Sequence, residues 1–512
     1  MKNKMFKKIK SIHFIGIGGI GISAIAKMFL LEGNPPSQCF GETRKISGSD
    51  MSDSKIIEEL RSAGAKIKIG HSEKNLPKEL DLVIYTIAIT DENPELKEAK
   101  RRGIKCITYP QALNEISKEK YTIAISGTHG KTTTTAMIAK IMIDAGLDPT
   151  VIVGSLLQSA DRRGLHADKT QNNFQTNFIA GKSKYLVVEA CEYRRSFLNI
   201  EPDIAVITNI DNDHLDYYKD IKDIQSAFGE FAEKVPEKGY IVCDEKDKLV
   251  TQAVNNAKAK IVFSNQFTGN LKLKIPGEHN IKNAQKALAV ANILKISPST
   301  SLRALNEFNG TWRRFEFKGE TDCGTLVYDD YGHHPTEIKA TLKGAREFFK
   351  GKKITAVFQP HLFSRTKLLL NDFAQSFKDV DEIILAPIYP AREAFDPTIS
   401  SDILTEKIRE HNRPGYQNNH PALTKAGKGN SCFGTPTFSS LIKEEIKPSE
   451  NQILKSPPIL RRSTESARGG GVHVFSNFSE IEKYLKENLK KDDVLITIGA
   501  GDVYKIGESL LN

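Results

Sequence analysis

Short apolar runs of four to six residues recur along the chain, each closed by a glycine-rich or polar loop and followed by a stretch with helical spacing. Residues 12–15 lead into Gly16-Ile17-Gly18-Gly19-Ile20-Gly21, and residues 121–125 into Ser126-Gly127-Thr128-His129-Gly130-Lys131-Thr132-Thr133 and the helix-period stretch 136–142. Residues 185–188 end at Glu189, and 204–208 at the polar segment 209–216. Residues 325–328 precede Asp329-Asp330-Tyr331-Gly332-His333-His334-Pro335, and 354–358 precede Gln359-Pro360-His361-Leu362-Phe363-Ser364-Arg365. Unbroken apolar strands that alternate with helices belong to parallel sheets covered on both faces, and ligands in such sheets bind at the carboxyl ends of the strands. The pattern predicts an α/β protein with further strands at 81–87 and 105–108. A chain of 512 residues is too long for one core. Three domains are expected: a Rossmann-like one over 1–118, a P-loop domain with a mostly parallel sheet over 119–308, and a second Rossmann-like one over 309–512.

The loop at 126–133 carries the most specific chemistry. Its glycines let backbone N–H groups close around a phosphate, Lys131 supplies a cation, and the Thr132 hydroxyl can ligate Mg²⁺. Gly127 stands three residues before Gly130, which departs from the common P-loop spacing. Glu189 and His214, at the ends of neighbouring predicted strands, are candidate metal ligands beside Lys131. The Gly16–Gly21 turn has dinucleotide-fold spacing, but its expected acidic partner is displaced: Asp50 follows an intervening Pro-Pro segment whose removal restores the spacing. Adjacent His333 and His334 suggest ligand contact rather than zinc, because no carboxylate or cysteine stands at helix spacing from them.

Composition narrows the field. The formal charge is +10. Half of that excess lies in the irregular segment 412–471, where nine Lys/Arg face four Glu and no aromatic-interleaved basic patch or recognition-helix pattern accompanies them. This argues for a solvated basic loop and against a nucleic-acid partner. The six cysteines are widely spaced with no C-x-x-C pair, so neither a disulfide framework nor structural zinc is expected. With no long apolar run and no signal-peptide core, the expectation is a cytoplasmic protein without a membrane partner. Segments 34–44, 158–172 and roughly 412–471 have no sustained period and read as disordered or surface insertions.

Taken in order, these motifs resemble the Mur ligases over nearly the whole chain outside the three insertions. Val188-Glu189-Ala190, Pro276-Gly277-Glu278-His279-Asn280-Ile281-Lys282-Asn283, Arg313-Arg314-Phe315, Pro390-Ala391-Arg392-Glu393 and Gly499-Ala500-Gly501-Asp502 complete the series. The resemblance implies an ATP-dependent ligase that joins L-alanine to the carboxylate of UDP-N-acetylmuramate through an acyl phosphate, an early step in peptidoglycan precursor synthesis. Attachment of a recycled tripeptide to the same sugar is the alternative. A dehydrogenase would not need the P-loop, and a folate-type ligase would not need Gly16–Gly21.

By the same resemblance, Gly16, Gly18, Gly19, Gly21, Asp50 and His71 hold the UDP-sugar. Gly127, Thr128, His129, Gly130, Lys131, Thr132, Thr133, Asn280, Asn283 and Asp330 bind ATP. Lys131, Glu189, His214 and Arg314 act on the transferring phosphoryl group, with Mg²⁺ on Thr132, Glu189 and His214. Tyr331, His333, His361 and Arg365 surround the alanine, and closure by Tyr331 and His333 favours alanine over a tripeptide. Many relatives carry arginine where this chain has Leu362, and no role is carried over to residues 191–195. The protein is expected to act as a monomer or weak dimer.

Overall fold

The computed structural model describes residues 5–32, 44–159, 174–215, 217–391, 393–412 and 471–511. The insertions expected near 34–44, 158–172 and 412–471 thus fall almost wholly outside the described residues, as do Asp216 and Arg392.

Three sheets carry the molecule, and the expected α/β architecture is observed. In the first, five parallel strands lie in the order Lys66–Ile69, Lys45–Asp50, Ser11–Ile15, Leu82–Tyr85, Lys105–Thr108. The chain reverses direction across Ser11–Ile15, which puts the Gly16–Gly21 turn at the crevice where such folds bind nucleotides. The second sheet runs Lys260–Phe263, Tyr240–Cys243, Ile204–Ile207, Tyr121–Ser126, Tyr185–Glu189, Thr150–Ser159, Phe174–Ile179, parallel except for the last pair. In the third, Glu316–Glu320 pairs antiparallel with Leu326–Asp330. Parallel strands Val494–Ile498, Ile354–Phe358, Glu382–Leu385 and Val472–Val474 follow. The central strands are buried on both faces, which accounts for their unbroken apolar character.

Two strand limits differ from the sequence pattern for identifiable reasons. The strand Leu82–Tyr85 is shorter than 81–87 because the Asp81 carboxylate accepts from the Lys10 and Ser11 amides, fixing the start of the neighbouring strand instead of extending its own, while Ile87 is exposed. The strand Leu326–Asp330 is longer because Asp329 and Asp330 still pair with Thr497 and Ile498, so the polar loop begins at Tyr331.

Side chains join the sheets as well as covalent links do. Lys27, on the helix Ile20–Glu32, is 2% exposed; its ammonium donates to Glu59 and to Asn177 Oδ1, each at 2.9 Å. Asn177 in turn donates to Ile20 O and Ser23 Oγ, pinning the first sheet's helix to the outer hairpin of the second. Among the described residues no helix is long and apolar enough to cross a membrane.

Candidate functional site

The P-loop strand Tyr121–Ser126 lies between Ile204–Ile207 and Tyr185–Glu189, so the loop that follows it opens where two other strand ends converge. The backbone turns at Gly127 and Gly130, with φ of +133° and +80°. A Cβ on Gly127 would run into Thr208, and one on Gly130 into the Asn283 amide, so both glycines are required by close neighbours as well as by conformation. The Lys131 ammonium donates to Gly127 O at 2.5 Å, Thr128 O at 3.0 Å and Glu192 Oε1 at 2.9 Å. Burial works against its charge, yet Glu192 and Glu189 hold its pKa above the ordinary lysine value. Glu192 is likewise kept low, against its own burial, by Lys131 and His214. His214 lies 3.6 Å from Glu192 and stacks near Tyr193. Thr132 Oγ1 donates to Glu189 Oε2 at 3.0 Å, and the Gly154 amide donates to the same oxygen at 2.9 Å. Thr132 and Glu189 are thus in direct contact, whereas His214 reaches the group through Glu192.

A cavity of about 520 Å³ opens on the other side of the loop, between the second and third sheets. His129, Gly130, Thr132, Asn283, Arg314 and Asp330 all line it, so residues predicted from four separate motifs meet there. Its closure rests on Glu337, held at 3.2 Å from His129 Nδ1 and 3.7 Å from the Arg314 guanidinium. His129 Nε2 meets Asp211 at 3.1 Å; although burial opposes it, these two acids raise the imidazole to about 9. Thr336 donates to Asp211, and His334 Nε2 to Asn212 O, adding two more bonds across the same boundary. Asp330 accepts from the Phe315 and Gly332 amides, and burial pushes it up to about 6 against the pull of Arg314.

The four residues expected around the amino acid also converge. Tyr331 and His333 have ring centroids 5.5 Å apart, His333 and His361 5.9 Å, and Arg365 donates to His361 Nδ1 at 3.3 Å. Arg365 also pairs with Asp213 at 3.1 Å, tying the third sheet to the loop that carries His214. Burial drives His333 down to about 4, so it is neutral at physiological pH. Leu362 begins the helix Phe363–Leu368 at φ +70°, a left-handed conformation costly for a branched side chain.

The remaining predicted set lies on the first sheet. Gly16 N donates to Ser49 O at 2.8 Å, Gly18 N to Asp50 Oδ2 at 2.8 Å, and Ser49 Oγ lies 3.0 Å from His71 Nδ1. Gly21 packs where a Cβ would strike Tyr109, and Gly19 sits within the same turn. These six residues form one strand-end crevice separate from the P-loop cavity.

Ligand atoms of His129, Asp211 and His334 lie within 4.8 Å of one another, a grouping a metal could use. The same residues bond within the group and across the boundary between the second and third sheets, His129 to Asp211 and His334 to Asn212 O, respectively.

Comparison with known proteins identifies the family and the fold. Residues 11–121 match the Mur ligase family catalytic domain, 125–270 the Mur ligase middle domain, and 313–428 the Mur ligase glutamate ligase domain. A UDP-N-acetylmuramate–L-alanine ligase of Clostridium acetobutylicum is 38% identical across 100% of this chain and 99% of its own length. The chain belongs to the Mur ligase family. The corresponding Clostridium novyi ligase is 39% identical over 98% of this chain and 97% of its own. The fold is that of a Thermotoga maritima UDP-N-acetylmuramate–alanine ligase, with TM-score 0.69, 24% identity and 98% of each chain covered. A Psychrobacter arcticus murein peptide ligase gives 0.60 at 22% identity, also over 98% of each.

Three carboxylates of this Mur ligase, Glu192, Glu337 and Glu95, lie outside its sequence motifs. Glu192 lies in the stretch that received no role, although an acid three residues beyond Glu189 shares its strand-end loop. Glu337 stands four residues after His333, so a carboxylate does lie at helix spacing from the histidine pair, contrary to the expectation above; as the N3 residue of a capping box at the start of Pro335–Phe348 it accepts from the His333 amide at 3.0 Å and lies 3.6 Å from His333 Nδ1. Glu95, fully buried behind the first crevice, accepts from His13, Ser49, Asn75 and the Ser72 amide at 2.7–3.1 Å. Nothing local in the sequence marks it.

Proposed function

We propose that this Mur ligase joins L-alanine to the carboxylate of UDP-N-acetylmuramate, with ATP converted to ADP and phosphate. The observation that carries the reading is end-to-end likeness to alanine-adding relatives in a chain whose P-loop cavity and histidine–arginine cluster share one interdomain boundary. The work divides as 1–118 for the UDP-sugar, 119–308 for ATP and 309–512 for alanine. Gly16, Gly18, Gly19, Gly21, Asp50 and His71 hold the sugar nucleotide. Its carboxylate attacks the γ-phosphate of ATP to give an acyl phosphate and ADP; the alanine amine then displaces phosphate, leaving the amide.

Phosphoryl transfer asks the protein for alignment and charge neutralisation more than for covalent chemistry. Lys131 is already held at the loop by two carbonyl oxygens and Glu192, so its cation is in place before substrate arrives. The hard oxygen donors of Thr132 and Glu189, in contact at 3.0 Å, suit Mg²⁺. With His214 beside them they would hold the ion, which supplies neutralising charge to the phosphates. Arg314 and Asp330 reach the nucleotide from the third sheet, while Asn280 and Asn283 meet it from the helix Glu278–Ile293. Tyr331 and neutral His333 shape the alanine pocket, with His361 and the Arg365 cation at its edge.

The test is phosphate release from ATP with UDP-N-acetylmuramate, comparing alanine, glycine, serine and a tripeptide. Alanine is expected to give the highest kcat/KM. A clear preference for the tripeptide would replace this reading with the murein peptide ligase alternative.

A further inference from the structure

Behind the Gly16–Gly21 turn lies a chain of hydrogen bonds that neither phosphoryl transfer nor the alanine pocket uses. Its centre is Glu95, at the start of the helix Pro94–Arg101 and fully buried. Burial opposes its charge, yet hydrogen bonds from His13, Ser49 and Asn75 hold its pKa at about 2. An ionised carboxylate only accepts. Its Oε2 takes the His13 Nε2 hydrogen at 2.9 Å and the Ser49 hydroxyl at 2.7 Å; its Oε1 takes the Asn75 amide at 2.8 Å and the Ser72 N–H at 3.1 Å.

Ser49 carries this constraint to the crevice. Its carbonyl oxygen accepts from Gly16 N and Ile17 N at 2.8 and 3.0 Å and so braces the glycine turn, while its hydroxyl faces both Glu95 and His71 Nδ1. The single hydroxyl hydrogen goes to the carboxylate, the nearer acceptor and the charged one. Toward His71, 3.0 Å away, Ser49 Oγ can then only accept. A lone pair on Nδ1 would also face Glu95 Oε1 at 3.4 Å, so both neighbours require the hydrogen on Nδ1. A ring with one hydrogen keeps its lone pair on Nε2. That nitrogen has no hydrogen-bond partner among the described residues, on a side chain 12% exposed at the end of the strand Lys66–Ile69. The preceding residue, Gly70, bonds to Asp50 O at 2.7 Å, which sets the ring beside the crevice.

We propose that Glu95 is a positioning residue: through Ser49 it holds His71 in the tautomer with hydrogen on Nδ1, so that Nε2 accepts a hydrogen bond from an N–H or O–H of the sugar nucleotide. This rests on the assignment of the Gly16–Gly21 crevice to that ligand.

The test combines nitrogen NMR of the full chain carrying isotope-labelled histidine, at about pH 8 and so above the ordinary imidazole range, with steady-state kinetics and calorimetric binding of UDP-N-acetylmuramate and UDP. Wild type is compared with Glu95→Gln, Ser49→Ala, His71→Gln and the double variant Glu95→Gln/His71→Gln, the His71→Gln spectrum identifying the His71 signals. In wild type those signals should show hydrogen on Nδ1 and a lone pair on Nε2, and the Nε2 signal should move on binding. Glu95→Gln should populate the form with hydrogen on Nε2 and raise the UDP-sugar KM about tenfold, the loss expected for one hydrogen bond, while kcat and the ATP and alanine KM stay within about twofold. Ser49→Ala, which keeps Glu95 and its bond from His13, should do the same with a smaller effect on melting temperature. In the His71→Gln background the Glu95 change should add less than about twofold, as an acid that acts through the ring requires. Loss with both ligands would place the donor on the uridine diphosphate, and loss with UDP-N-acetylmuramate alone on the muramyl sugar. Wild type that binds the sugar nucleotide with hydrogen on His71 Nε2, or a Glu95→Gln penalty that persists in full without His71, would overturn the positioning role alone. Failure of wild type to bind UDP-N-acetylmuramate would remove the crevice assignment and the proposal with it.

Discussion

At the level of single residues, the site is a set of buried charges held in place by one another. Lys131 is bound to Glu192, and Glu192 is shared with His214, so removing the acid loosens both. Lys131→Ala should lower phosphate release by at least about a thousandfold, since the lysine faces charge that develops in the transition state. UDP-sugar affinity, measured by calorimetry, should stay within twofold because that crevice belongs to another sheet. Glu192→Gln should lower kcat by about ten- to a hundredfold without changing fold, as judged by circular dichroism. The third sheet separates two further roles. Asp330→Ala should weaken ATP use, whereas His333→Ala should chiefly raise the alanine KM. Kinetics varying ATP and alanine independently decide the point, and a His333→Ala effect confined to the ATP KM would misplace the amino-acid pocket.

At the level of elements, much was legible because the signals were local. The loop 126–133 needed only an apolar strand before it and a helix after it, and Tyr331, His333, His361 and Arg365 converge because they follow the ends of Leu326–Asp330 and Ile354–Phe358, the two parallel strands that flank Val494–Ile498. What escaped was set by distant partners. Glu192, Glu337 and Glu95 take their importance from residues 61, 208 and 82 positions away, respectively, a pairing no local period encodes. Strand limits failed for a related reason: Asp329 and Asp330 look like loop residues but are paired to Thr497 and Ile498. The segment 413–470 joins the helix Ser401–Asn412 to the strand Val472–Val474, which already meet through Arg409 and Val472 O at 2.6 Å. Closure cost grows slowly with loop length. Replacing 413–470 by a short Gly/Ser link should therefore leave kcat/KM within about threefold, and a folded deletion variant that loses ligation would give the segment a role.

For the whole molecule, the central and third sheets are latched by titratable groups, which makes closure sensitive to pH. The His129 pKa, raised to about 9, means its contribution is fully present below its unfolded value near 6.5 and is lost as pH rises through 9. Asp211 is held low, at about 2, because His129 and Thr336 outweigh its burial, so its contribution is present above about 4 and lost as pH falls toward 2. The His129–Asp211–Glu337 contact should therefore stay closed from about pH 4 to 8. Small-angle scattering should show a constant radius of gyration across that window and an increase above pH 9, and His129→Ala should be expanded already at pH 7. An unchanged radius in both cases would mean that other bonds across the boundary, such as Arg365 to Asp213, suffice to hold it.

The account as a whole turns on whether the sugar carboxylate is itself phosphorylated before alanine attacks. UDP-N-acetylmuramate labelled with heavy oxygen in its carboxylate, incubated with ATP and L-alanine, tests this directly by mass analysis of the released phosphate. One labelled oxygen per phosphate, dependent on alanine and abolished by Lys131→Ala, is the predicted result. Unlabelled phosphate released at the same rate as the amide product would contradict it.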